Sequence, residues 1–149
     1  MREDLDKALS EKYPLLFCNR NAPITQTSMS WGFECGDGWY NLIDILCRNI
    51  QHHVDWNHLG SFESTSPDKL AQPVVSQVKE KFGGLRFYLD YYVDDHIQGM
   101  IQMAESMSHH ICEECGNKGK LRNGNWLRTL CDQHAAEYDY SNTEDTTSF

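Results

Sequence analysis

The 149 residues suit one domain with room for a small appended module. A hydrophobic fraction of 40% with 10 glycines is globular composition, not fibrous, disordered or membrane composition. Thirteen Lys and Arg against 22 Asp and Glu give a formal charge of −9, a poor match for a general binder of phosphate backbones. Four of the acids (Glu137, Asp139, Glu144, Asp145) lie in the last stretch, Glu137 to Phe149, which has no base. The run Ser141 to Ser148 has nothing apolar to bury, which predicts a disordered acidic tail over residues 139–149.

No window approaches the run of about 18 apolar residues that crosses a membrane, and the charged opening Met1 to Lys7 lacks the pattern of a secretory signal. The expectation is a cytoplasmic chain. Thiols stay reduced there, so the six cysteines read as metal ligands and buried thiols rather than three disulfides.

Taken in chain order, Leu5, Ala8, Leu9 and Tyr13 share a helical face over residues 4–13, with Asp4 as N-cap and Pro14 as a stop. Residues 15–37 have loop composition, with a short strand at Ser30 to Glu34. Trp39, Leu42, Ile43, Leu46, Cys47, Ile50 and Val54 then recur at steps of three and four and predict an amphipathic helix. Residues 55–73 turn polar and read as a long surface loop. Val74, Val75 and Val78, then Leu85, Phe87, Leu89 and Tyr91, flank Phe82-Gly83-Gly84 as a β-hairpin. Asp94 and Asp95 open a last long helix lined by Ile97, Met100, Ile101, Ala104, Met107 and Ile111. Its methionines, Met100, Met103 and Met107, read as core filling.

The strongest signal is Cys112-x2-Cys115-Gly116, fifteen intervening residues, then Cys131-x2-His134. A tight turn presents two thiolates to one ion, Gly116 allows the positive backbone angle, and the second pair completes a tetrahedron. Between the pairs, Lys120 to Arg122 and Trp126 to Leu130 flank the turn Asn123-Gly124-Asn125, and a helix from Asp132 to Tyr138 carries the last two ligands. Knuckle, hairpin and helix in this order predict a treble-clef-like module over 111–138. It would carry one structural zinc, because four protein ligands leave no position for water. Cys18, Cys35 and Cys47 have no such partner and read as structural thiols. The fold class predicted is α+β: a helical and β-hairpin domain over 1–110 with the zinc module behind it.

Weaker constellations remain. His52, His53, Asp55 and His58 could hold a catalytic metal, but adjacent residues on a helix point about 100° apart, and imidazoles at a helix C-terminus also answer the dipole. Asp90, Asp94, Asp95 and His96 read as helix-starting acids for a similar reason. Lys79-Glu80-Lys81 misses the Glu-x-Lys spacing of a nuclease strand, and phosphate-loop and serine-elbow motifs are lacking, so an enzyme is not supported. Nucleic acid could meet Lys118, Lys120, Arg122 and Arg128 in the zinc module, with Trp126 for stacking.

The segments Gly32 to Trp39, Gln77 to Tyr88, Ile97 to Ser108, Cys112-x2-Cys-Gly and Trp126-Leu-Arg-Thr-Leu-Cys-x2-His134 resemble those of an uncharacterised group of small zinc-binding bacteriophage and prophage proteins. The likeness covers roughly residues 13–136 and leaves out the acidic tail. It implies the zinc ligands and a viral accessory protein in a bacterial host cell, but no reaction. The leading expectation is a non-enzymatic protein that binds a host protein, blunting an antiviral defence. A DNA- or RNA-binding regulator is the alternative, and a metal-dependent nuclease or hydrolase built on His53, Asp55 or His58 is the third. Capture of a nucleotide signal in a pocket of Trp31, Trp39, Arg86 and Tyr88 is a variant of the first.

Overall fold

The computed structural model describes residues 1–59, 70–138 and 140 of the chain. Helix α1 (Glu3–Lys12) carries Glu3, Asp4 and Asp6 in its first turn, where the positive end of the helix dipole favours them. Asp4 is not the N-cap. The helix starts earlier, at Arg2, which has no side-chain cap; the Arg2 backbone N–H donates instead to Asp37 Oδ1 at 2.7 Å.

The loop that follows is fixed by Asp6, which is only 8% exposed. Its carboxylate accepts from Arg20 Nε at 2.8 Å and Nη2 at 3.2 Å, and from the Phe33 N–H at 3.1 Å. Arg20 Nη1 donates to the Ser30 carbonyl at 3.1 Å, so one guanidinium gathers both ends of the loop. A turn of 3-10 helix at Ser28–Trp31 leads into strand β1 (Phe33–Glu34). The strand expected over Ser30 to Glu34 is therefore only its last two residues.

A second 3-10 turn, Asp37–Trp39, opens helix α2 (Tyr40–Leu59), which runs on past Asp55, where a loop was expected. Its stripe of Leu42, Ile43, Leu46, Cys47, Ile50 and Val54 is buried, as the periodicity requires. Each such aliphatic side chain contributes about 1.5–3 kcal/mol relative to exposure. Residues 60–69 of the expected loop, like nearly all of the expected tail, lie outside the described residues.

Strands β2 (Val75–Lys81) and β3 (Gly84–Leu89) form the hairpin. Its two-residue turn, Phe82 and Gly83, has φ of 53° and 80°, the doubly positive turn that matches strand twist. β1 joins β2 in parallel, with Phe33 opposite Val78, giving the order β1-β2-β3. The outer edge of β3 is closed by helix α3 (Asp95–Ser108): Ser108 Oγ accepts from the Leu85 N–H at 2.9 Å and Glu105 Oε1 from the Phe87 N–H at 3.0 Å. Two edge amides of β3 that could recruit a foreign strand are thereby occupied.

Asp94 caps α3, accepting from the Ile97 N–H at 2.9 Å. The buried stripe of this helix is Ile97, Ile101, Ala104 and Ser108. Met103 (66% exposed) and Met107 fall off that stripe and face outward; Met100 alone of the three packs against the core, while Met29 fills its centre. Beyond α3, strands β4 (Lys120–Arg122) and β5 (Arg128–Leu130) pair antiparallel and helix α4 (Asp132–Glu137) follows, around a small second core of Cys112, Leu130 and Ala135. The architecture is α+β with a Cys/His cluster at its C-terminal end. Among the described residues, no helix is long and apolar enough to cross a membrane.

Candidate metal centre

Cys112 and Cys115 occupy a tight knuckle. The Gly116 N–H donates to the Cys112 carbonyl at 2.9 Å, the Cys112 N–H donates to the Asn117 carbonyl at 2.7 Å, and Gly116 has φ of 81°. On the other side, Cys131 is the N-cap of α4 and its Sγ accepts from the His134 N–H at 3.5 Å, which places the imidazole one turn away. The four ligand atoms all lie within 4.8 Å of one another.

Three of the spacings are 3.8 Å for Cys115 Sγ to Cys131 Sγ, 3.6 Å for Cys112 Sγ to His134 Nδ1, and 3.2 Å for Cys131 Sγ to His134 Nδ1. A zinc tetrahedron with bonds of about 2.3 Å to sulfur and about 2.0 Å to nitrogen has edges of about 3.8 Å and about 3.5 Å. These residues fit such an ion, with His134 offering Nδ1. The other ring nitrogen, Nε2, lies 3.7 Å from Glu137 Oε2, near enough for a charge contact and too far for a hydrogen bond.

The knuckle does not stand alone. The Glu113 N–H donates to the Thr129 carbonyl of β5 at 3.0 Å. Its other face receives the loop ahead of α2: the Gly38 N–H donates to the Glu113 carbonyl at 2.7 Å, the Gly36 N–H to Glu113 Oε1 at 3.0 Å, and the buried Trp39 indole to the Ile111 carbonyl at 2.9 Å. A methyl group on Gly38 would lie 2.0 Å from the Cys112 carbonyl oxygen, so only glycine allows this approach. Sequence reasoning did not connect residues 36–39 to the metal site; the signal available was Gly36-x-Gly38 beside a tryptophan. The hairpins meet as well, where Thr129 Oγ1 donates to the Gly83 carbonyl at 2.6 Å.

The thiols differ in their readiness to ionise. The His134 backbone N–H, with neighbouring side chains, brings Cys131 down to about 7, whereas desolvation and the adjacent Cys112 and Cys131 push Cys115 up to about 11. Burial pushes Cys35 up to about 12 and Cys47 well above the usual thiol range, so both behave as structural thiols, while Cys18 is exposed. Burial also raises Glu113 above the usual carboxylate range, against the opposing Gly36 N–H and Arg128.

The remaining candidates are distributed differently from expectation. Lys118 and Lys120 are exposed. Arg122 is spent on the Leu130 carbonyl and on Asp132 at 2.7 Å, and Arg128 on Glu114 and on the face of Tyr138, 4.3 Å from its guanidinium carbon. Both arginines of the expected phosphate-binding patch are thus committed internally.

His53 does not join Asp55, which instead accepts from Gln51 at 2.9 Å; the side chain of His58 lies outside the described residues. The structure joins the two histidine and acid clusters that the sequence kept apart: His53 Nε2 lies 2.9 Å from Asp94 Oδ2, and the His53 and His96 rings stack at 4.2 Å. Partial burial works against the Asp94 charge, but His53 and the Ile97 N–H hold its carboxyl below the usual range. This group ties α2 to the cap of α3. The pocket expected around Trp31, Trp39, Arg86 and Tyr88 fails at Trp39, which is fully buried.

No protein-family model matches the chain, and no curated protein or solved structure is significantly similar to it.

Proposed function

We propose that the chain is a non-enzymatic binding protein braced by one structural zinc on Cys112, Cys115, Cys131 and His134, in a treble-clef-like module. The observation that carries this is the near-tetrahedral spacing of four ligand atoms all supplied by the protein. A zinc so enclosed fixes the fold and has no open position at which to activate water. It locks the knuckle against β5 and α4, and through Glu113 against the loop ahead of α2.

Protein binding is supported by the surface. Trp31, Trp56 and Trp126, three of the four tryptophans, are more than 60% exposed, as are Phe82 and Tyr92. Aromatic side chains are the usual anchors of protein interfaces. The resemblance to small phage and prophage proteins makes a host protein the partner class, and restraint of an antiviral defence the use. A nucleic-acid role is less favoured, because Arg122 and Arg128 already serve acids of the chain itself.

Cobalt substitution with metal analysis tests the metal. One ion per chain with the intense visible bands of a tetrahedral three-sulfur, one-nitrogen site is expected; sub-stoichiometric metal or weak octahedral bands would overturn the assignment. Zinc-loaded bait at micromolar concentration should retain a defined host protein from bacterial lysate. Retention of none, with the zinc in place, rejects the binding role and leaves the metal reading intact.

A further inference from the structure

Beside the metal centre, Glu80, Glu113, Trp126, Arg128, Tyr138 and Tyr140 line a cleft of about 520 Å³. Glu113 is only 7% exposed; its Oε1 accepts from the Gly36 N–H at 3.0 Å, and the residue forms part of the cleft wall. A carboxylate on a cleft wall pairs best with a charged donor. Glu80 adds a second negative charge; one of its oxygens accepts from the Gly83 N–H at 2.7 Å. The cation already present, Arg128, pairs with Glu114 and also favours the charge of Glu113, so one cation serves three acids, Glu80, Glu113 and Glu114.

The walls are aromatic. Arg128 lies over the Tyr138 ring at 4.3 Å, an internal instance of a guanidinium stacked on an aromatic face of this cleft. Trp126, on the same cleft, is 65% exposed and has no cation over its ring among the described residues. Two carboxylates beside an open indole make a site that suits a planar cation: its fork can serve the acids while its face stacks on the ring.

We propose that this cleft receives the guanidinium of an arginine on a partner polypeptide. The inference rests on the protein-binding reading and names the chemistry by which the partner is recognised. Phosphate and nucleotide ligands are disfavoured by the two acids, and an ammonium group gains less from the flat indole than a guanidinium does.

The test uses the zinc-loaded full chain and Nα-acetyl-L-arginine amide, followed through the Trp126 indole N–H resonance, assigned by its loss in Trp126→Phe. A saturable shift is expected at millimolar probe, at least tenfold weaker for the neutral isostere citrulline amide. Glu80→Gln, which keeps an acceptor for Gly83 and removes only charge, should weaken binding at least threefold. Equal shifts from arginine and citrulline, equal affinity for the lysine amide, or no effect of Glu80→Gln would overturn the proposal. The two readings fail separately. A captured host protein held equally well by Glu80→Gln and Trp126→Ala rejects the cleft but not protein binding; saturable arginine binding without a captured protein does the reverse.

Discussion

Replacing Gly38 with alanine tests whether the metal centre is part of the main fold or an appendage to it. The added Cβ would sit 2.0 Å from the Cys112 carbonyl oxygen, 2.6 Å from the Gly116 nitrogen and 2.7 Å from the Glu113 carbonyl carbon, all backbone atoms of the knuckle. No rotamer relieves that; the loop and the knuckle must separate by about 1.5 Å to restore ordinary van der Waals spacing. The hydrogen bonds at risk are Gly38 to the Glu113 carbonyl, Gly36 to Glu113 Oε1, and Trp39 to the Ile111 carbonyl. At about 1 kcal/mol for each ordinary bond, and about 1–3 kcal/mol for a stranded buried indole N–H, the loss comes to about 3–5 kcal/mol. For a chain of this length that lowers Tm by about 6–20 °C.

Gly99→Ala is the matched control: nothing lies within 4 Å of its added methyl group, and it sits inside α3. Removing an interior helical glycine should stabilise by about 0.5–1 kcal/mol. Urea unfolding of both zinc-loaded variants, with transfer of zinc to a chromophoric chelator as a second readout, gives opposite signs if the reasoning holds. Gly38→Ala within about 0.5 kcal/mol of the parent would refute the close docking.

Phe82→Asn should raise stability by about 0.5–1 kcal/mol, because Phe82 holds a φ of 53° that costs a bulky residue more than asparagine, and the substitution creates the Asn-Gly turn; a fall in Tm would show that the exposed ring is worth more to the fold than its turn strain. Arg20→Met strands the Asp6 carboxylate and should cost about 3–5 kcal/mol in chemical denaturation. The double variant Asp6→Asn with Arg20→Met should lose less than Arg20→Met alone, and additive losses would contradict the pairing. Zinc affinity should rise with pH. Cys115, up at about 11, must release its proton on binding throughout the neutral range, and Cys131, at about 7, adds a second proton below neutrality. Competition titrations at pH 6, 7 and 8 should therefore give at least about one decade per pH unit, steeper at the acid end; a flat profile would reject the thiolate ligand set.

The parts of the molecule legible in the sequence are those whose cause is local. The apolar repeat of α2, the acids and cap of α3, the glycine turn of the β2–β3 hairpin and the two ligand pairs each depend on residues a few positions apart. What was not legible joins distant segments. The β1–β2 parallel pair matches Phe33 with Val78, the loop after α1 is fixed by Asp6 reaching Arg20 and Phe33, and His53 meets Asp94 across two helices. No periodicity encodes such pairings, because each is selected by the packing of the finished core.

The candidate site divides along the same line. That Cys112, Cys115, Cys131 and His134 cluster could be read from spacing alone, but the neighbourhood around them could not. Glu80 comes from β2, Glu113 from the knuckle, and Trp126 from the β4–β5 turn, held together by Thr129 bonded to Gly83 and by the Gly36–Gly38 loop bonded to Glu113. Since both ties reach the knuckle or the strand beside it, a metal bound to the four ligand residues would hold the cleft in shape as well as the module. Loss of zinc should therefore loosen the Trp126 wall and the Glu80 wall together.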